Sequence, residues 1–278
     1  MSSSGLAIAA QAPPHVSLIS GPGRFRYQRG NLLFRCTEPG GDALLKVYRQ
    51  RRSRWRDFWG NCSERWFERK RGVSAARRCE TEAAALTSWR AAGFDVPRLL
   101  ERERPRWVGD HPSIAMEFIH GETLYQRLLD RERPLAEKQA WIARLAREYG
   151  RRHRCALERG DTLLVHEHAM ARHVLVSAER LVTFDFEHAY QPDYPLPAAL
   201  AFELSSTLRS LWIGERVGES YSDVFVEAYP ERQILVESCR LFRSPSWGWR
   251  LYRRYERRQR GARSKTEVME RLATRLGV

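Results

Sequence analysis

The stretch "ALLKVYR", residues 43–49, places one lysine in the middle of an otherwise apolar strand. Such a strand gives no reason for a charge at that position, so Lys46 either snorkels from a sheet edge or is fixed by an acid brought to it by the fold. The choice of lysine is itself unusual. Of the 48 Lys and Arg residues only four are lysines, at 46, 70, 138 and 265. A second charged residue in an apolar setting is Asp185 in "TFDFE", between two phenylalanines at the end of an apolar run. A carboxylate there needs a partner, and a metal ion is the reading preferred for it.

Around these two residues the chain reads as β-rich first and helical later. "RFRYQ", "NLLFRC" and "ALLKVYR" are strand-like, separated by turn chemistry at 29–30 and at "EPGGD", 38–42. A helix is expected over 75–92, ending at Gly93 as a C-cap. Two further short strands are expected in "VPRLLERERPRWVG" and "SIAMEFIHG". Residues 134–158 open on Pro134 and carry Trp141, Ile142, Leu145 and Tyr149 on one face, an amphipathic helix. "HVLV", the turn "SAER" and "LVTF" then read as strand–turn–strand, and 198–215 and 221–240 as helices. The expected class is α+β with two lobes: a loose tail at 1–14, a β-rich lobe with one helix over 15–121, and a mainly helical lobe over 122–278.

The net charge is +14, carried mostly by arginine. Forked guanidinium groups suit anionic partners such as phosphates, nucleic acid or anionic lipid, although GC-rich coding drift produces the same excess. Five cysteines, at 36, 62, 79, 155 and 239, are scattered and form no CxxC pair, which points to reduced thiols in a cytoplasmic protein. No apolar run approaches the length of a membrane span.

Phosphoryl transfer needs a cation at the α/β-phosphates, an acid to fix it, a metal-holding carboxylate and a group that orients the acceptor hydroxyl. The chain offers these in order: Lys46, Glu82 on the following helix with Glu80 as its rival, the segment "AMEFIHG" containing Glu117, the histidines of "LVHEHAMARHVLV", and Asp185. In that order the chain resembles the protein-kinase-like superfamily. More narrowly, it is similar to the bacterial lipopolysaccharide core kinases that phosphorylate Kdo or heptose, on the pattern E-x10-G-[FIV]-x-[VP]-P in "ETEAAALTSWRAAGFDVP" and on the "KVYR" strand followed by an arginine- and tryptophan-rich insert over 49–78. The resemblance covers roughly residues 25–190. It implies a two-lobed kinase-like fold, ATP and Mg²⁺ as cofactors, and a lipopolysaccharide core glycolipid or another anionic sugar as acceptor. It also implies Lys46, Glu82, Gly30, Glu117 and His173 as nucleotide-binding residues, Asp185 and His173 at the metal, and His166, His168 and Asp185 in catalysis.

The family's catalytic loop reads H-x-D-x-x-x-x-N, and here His166, His168 and His173 stand at the three positions. A histidine in the Asn place also occurs among the core kinases; His168 in the Asp place does not. An imidazole accepts a proton at neutral pH but brings no negative charge, and the adjacent Glu167 is a candidate source of one. Glu187 takes the third "DFG" place, and the nucleotide loop retains only Gly30 and Asn31. A pseudokinase that binds nucleotide or a partner without transfer is therefore the competing reading. A nucleic-acid-associated basic protein, suggested by "RLYRRYERRQRGAR", ranks below both, because no reading helix or stacking platform accompanies it. A zinc site is disfavoured: H-x-H-x4-H has no fourth ligand, and Met170 stands where H-E-x-x-H requires histidine. The insert at 49–78 suits peripheral contact with an anionic membrane face.

Overall fold

A computed structural model describes residues 8, 10–20, 31–37, 41–49, 74–214, 220–246, 249–250 and 264–278. The chain divides into two compact units: Met1–His120 with Asp185–Ala189, and Gly121–Phe184 with Tyr190–Val278.

The first unit holds a four-stranded antiparallel sheet in chain order, β1 (Val16–Ser20), β2 (Leu32–Cys36), β3 (Ala43–Val47) and β4 (Ser113–Glu117). Apolar alternation along β2 buries Leu32, Phe34 and Cys36 on one face, where they meet Leu45, Val47 and Val108. Trp107 packs edge-on against Phe34, with ring centroids 4.9 Å apart. Helix α1 (Ala75–Ala91) begins at Ser74, whose hydroxyl accepts from the Arg77 N–H. Gly93, with φ of 78°, follows its C-cap in the left-handed conformation that only glycine adopts without cost. The helix buries Ala85, Leu86 and Trp89, and Trp89 meets Phe186 at 4.7 Å.

Residues 97–109 do not form the expected strand. Leu99 makes a single bridge to Met116, and Arg106–Val108 is one 3-10 turn. Pro97 and Pro105 bracket an exposed run of four charges, Glu101 to Arg104, which has no apolar face to bury.

The second unit carries a three-stranded antiparallel sheet, β5 (Glu122–Thr123), β6 (Val174–Ser177) and β7 (Arg180–Thr183). Its helices are α2 (Leu124–Leu129), α3 (Leu135–Arg159), α4 (Leu196–Gly214), α5 (Tyr221–Ala228), α6 (Arg232–Arg243) and α7 (Lys265–Leu276). Helix α3 has an apolar stripe of Ile142, Leu145, Ala146, Tyr149 and Ala156 facing inward, each full burial of a large side chain being worth about 2 kcal/mol. Helix α4 buries Ala199, Leu200, Leu204, Leu208 and Leu211, and packs against α6 and α7.

The single helix expected over 221–240 is two helices, broken at Tyr229–Glu231. Pro230 has no N–H to continue the ladder. Its ring abuts Gly150 of α3, where any Cβ would overlap the Pro230 Cγ and Cδ atoms. Gly150→Ala is accordingly expected to lower stability by about 1–3 kcal/mol, read as a fall in Tm; an unchanged melt would mean the ring moves aside at no cost.

The turn after α5 also sets a buried polar network. Arg152 Nη2 donates to Glu203 Oε1 at 2.6 Å, and Nη1 donates to Glu203 Oε2 at 3.0 Å and to the Leu164 carbonyl at 2.5 Å. His153 Nε2 lies 3.2 Å from Glu203 Oε2, and its Nδ1 lies 2.7 Å from the Tyr229 hydroxyl. The partners fix a neutral imidazole with Nε2–H donating to the carboxylate and the tyrosine O–H donating to Nδ1.

Candidate functional site

Strand β3 holds Lys46 between Leu33 and Ile114 of the neighbouring strands, with its side chain only 7% exposed. It does not snorkel. Its ammonium donates to Glu82 Oε2 at 2.7 Å and Asp185 Oδ1 at 2.9 Å, and lies 3.1 Å from Glu187 Oε1. Burial by itself would lower the lysine pKa, but Asp185, Glu82 and Glu187 outweigh it and hold the group well above its ordinary value. Lys46 is therefore a permanent cation.

Glu82 comes from the buried face of α1, and Tyr48 O–H also donates to its Oε2, at 2.5 Å. Burial raises the Glu82 carboxyl and Lys46 opposes that rise. Glu80 is exposed and pairs with Arg77 at 2.8 Å, so of the two glutamates only Glu82 reaches Lys46.

One helical turn before Glu82 lies Arg78, fully buried. It donates to Glu187 Oε2 at 2.6 Å, to Asn31 Oδ1 at 2.8 Å and to the Arg49 carbonyl at 2.5 Å. Asn31 in turn donates to Glu187 Oε1. Arg78, Tyr48 and Asn31 thus brace the two acids that hold the lysine. The i, i+4 spacing of Arg78 and Glu82 puts them on one helix face, and it was the one sequence signal for Arg78.

Asp185 differs from the two glutamates. Its side chain is 34% exposed, against 2% for Glu82 and 8% for Glu187. Its φ is 72°, a left-handed conformation that costs a non-glycine residue roughly 1 kcal/mol or more and aims the carboxylate out of line with the preceding strand. Ligand oxygens of Glu82, Asp185 and Glu187 lie within 4.8 Å of one another. Among the described residues, Lys46 meets all three carboxylates and Arg78 meets Glu187. The Lys46 ammonium already stands among these oxygens, so a hard divalent ion such as Mg²⁺ fits on the open side of the cluster, with Asp185 as its accessible carboxylate ligand.

In the second unit the three histidines do different things. His166 is buried and its Nε2–H donates to the Phe184 carbonyl at 3.1 Å. His173 Nδ1–H donates to the His168 carbonyl at 2.8 Å, and its Nε2 accepts from Arg172 Nε at 3.2 Å. A metal at His173 Nε2 would have to displace that guanidinium. His168 is 53% exposed, with Nδ1 3.5 Å from Glu167 Oε2. Among the described residues the histidines form no metal-ligand cluster. Glu117 ends β4, where its carboxylate accepts from the Arg98 N–H at 3.4 Å, apart from the Lys46 network. Gly30, most of the insert at 49–78 and the basic run at 251–263 lie outside the described residues.

An antiparallel sheet carrying a buried lysine, a helix acid that fixes it and a half-open aspartate define an α+β protein that resembles the protein-kinase-like fold. No protein-family model and no curated protein sequence matches the chain. Among solved structures it is similar to WaaP in complex with acyl carrier protein, with TM-score 0.44 and 19% identity over 91% of this chain and 87% of that one. It is also similar to the Mycobacterium tuberculosis PknI kinase domain, with TM-score 0.40 and 15% identity over 95% of this chain and 96% of that one. Among the described residues, no helix is long and apolar enough to cross a membrane.

Proposed function

We propose that this protein is an ATP-dependent phosphotransferase acting on a sugar of the lipopolysaccharide inner core, Kdo or heptose, at the cytoplasmic face of a membrane. The observation that carries the proposal is the convergence of Lys46, Glu82 and Asp185: a permanent cation, the acid that fixes it, and a carboxylate with an open side. In this reading Lys46 neutralises the α/β-phosphates, and Glu82 with Tyr48 keeps its ammonium in place. Arg78 and Asn31 hold Glu187. Asp185 would hold Mg²⁺ with the glutamates behind it, and the ion when bound would neutralise charge on the phosphate chain.

His168 takes the place that the resemblance gives to the residue orienting the acceptor hydroxyl. Glu167 beside Nδ1 favours the tautomer with the proton on that nitrogen. The Nε2 lone pair is then the group that accepts from a sugar hydroxyl. His166 and His173 hold the loop backbone through the Phe184 and His168 carbonyls.

Mg-ATP is expected to raise the Tm of the full chain by several degrees, and Lys46→Met to abolish most of that shift, since a charge-assisted contact to phosphate is worth about 1.5–3 kcal/mol. Transfer of labelled phosphate from ATP to deacylated core oligosaccharide tests the rest. No stabilisation by Mg-ATP in the wild type would remove the nucleotide reading altogether. A second reading is favoured by one observation, that a histidine, His168, stands in the aspartate position: a pseudokinase. It expects the same ATP shift with no transfer to any core sugar.

A further inference from the structure

A cavity of about 290 Å³ opens within the second unit. It is lined by three cations (Arg172, Arg209 and Lys265), three hydroxyls (Tyr125, Ser206 and Ser210) and the thioether of Met170. Among the described residues lining it none is acidic. Ser206, Arg209 and Ser210 fall at i, i+3 and i+4 and share one face of α4. Lys265 is the first residue of α7, where the helix dipole adds to its charge. Glu267, an acid in that first turn, is turned to the helix cap, accepting from the Ser264 N–H at 2.7 Å. Met170 and Arg172 come from the same loop as His168, two and four residues further on.

The hydroxyls are set with complementary polarity. Ser210 Oγ accepts from the Ala171 N–H at 2.9 Å, which leaves its own proton to donate. Ser206 Oγ donates to the Phe202 carbonyl at 2.8 Å, which leaves its lone pairs to accept. Cations alone would suit any phosphate. Three cations beside two directed hydroxyls in a space of this size suit a small polyol bearing an oxyanion. A flat lipid surface or a polynucleotide would call for an open basic strip instead.

We infer that this cavity binds a sugar carrying a carboxylate or phosphate, with Arg209 and Lys265 as its specificity-determining residues. That this sugar is the phosphoryl acceptor rests on the function proposed above; the binding itself does not. The test is an NMR titration of the full chain, without nucleotide, with galacturonate, glucose 6-phosphate and glucose. Both acids are expected to bind at least about tenfold more tightly than glucose, and the tighter of the two identifies the oxyanion the cavity takes. Arg209→Gln and Lys265→Gln should each weaken acid-sugar binding about tenfold while leaving glucose unchanged. Thermal melts establish that each variant is folded; if Arg209→Gln is not, Lys265→Gln at the start of its helix carries the test. Equal affinity for acid and neutral sugars, or full acid affinity in the folded variants, overturns the inference. Lys46→Met, which should lose ATP, is expected to keep acid-sugar binding. Should ATP fail to bind the wild type while the acids still bind, the phosphotransferase reading falls and the cavity assignment stands.

Discussion

On the function proposed above, Asp185→Asn is expected to lower phosphate transfer about a thousandfold while leaving ATP binding within a few fold of wild type. The asparagine is nearly isosteric, so the left-handed backbone at 185, which asparagine tolerates, should survive. Lys46 keeps Glu82 at 2.7 Å and Glu187 at 3.1 Å, and so stays fixed and charged. What is lost is the half-open carboxylate of the cluster and with it the accessible anionic oxygen that suits a divalent ion. The effect should therefore fall on turnover and on the Mg²⁺ concentration needed for half-maximal rate. Turnover near wild type with an unchanged Mg²⁺ requirement would show that Asp185 plays no part in holding the metal. Glu80→Gln is a suitable control, since Glu80 is exposed and, among the described residues, pairs with Arg77 at the surface.

The second large effect is on stability. Arg152→Met is expected to destabilise the helical unit by about 3–5 kcal/mol, because it strands Glu203 in the interior without its principal counter-charge. For a unit of this size that corresponds to a Tm lower by about 10 °C. Burial would raise the Glu203 carboxyl, but Arg152 and His153 more than reverse this and bring it down to about 2, against 4.5 when unperturbed. A depressed folded-state value means that this stability is complete above about pH 4.5 and is lost as pH falls toward 2. Burial depresses His153 as well, in spite of Glu203, from its unperturbed 6.5. There the unfolded chain takes up its proton first, so stability declines as pH falls below 6.5. Both groups act in the same direction. Wild type should lose stability in two acid steps, and Arg152→Met should flatten the lower one. A melt within a couple of degrees of wild type, or an unchanged acid limb, would contradict this account of the network.

Much of the site was legible in the sequence because it was carried by local contradictions. A charge inside "ALLKV" and an acid between two phenylalanines each demanded a partner, and the two demands turned out to answer each other. Glu82 was separable from Glu80 only by the helix face that the structure supplies. The bracing of Glu187 by Arg78 and Asn31 left almost no local trace. It joins residues 109 and 156 positions apart, and in a chain so rich in arginine one more arginine attracts no notice.

Secondary structure followed the same logic. The strands around Lys46 and helix α3 have strong periodicity and lie where expected. Helix α2 leaves little mark in the sequence although Thr123 and Gln126 form a capping box, because six residues are too few to show a helical period. The stretch "VPRLLERERPRWVG" reads as a strand in sequence, but its prolines and charges decide otherwise.

Asp185–Ala189 belongs to the sheet-bearing unit, although the residues on either side of it belong to the other. Cutting the gene at residue 121 would therefore not yield two self-sufficient halves. The N-terminal product would keep Lys46, Arg78 and Glu82, and its partner would carry off Asp185 and Glu187. Such a fragment should be insoluble when expressed alone and recover only on co-expression with the remainder, so this core is divisible on paper but not in the cell.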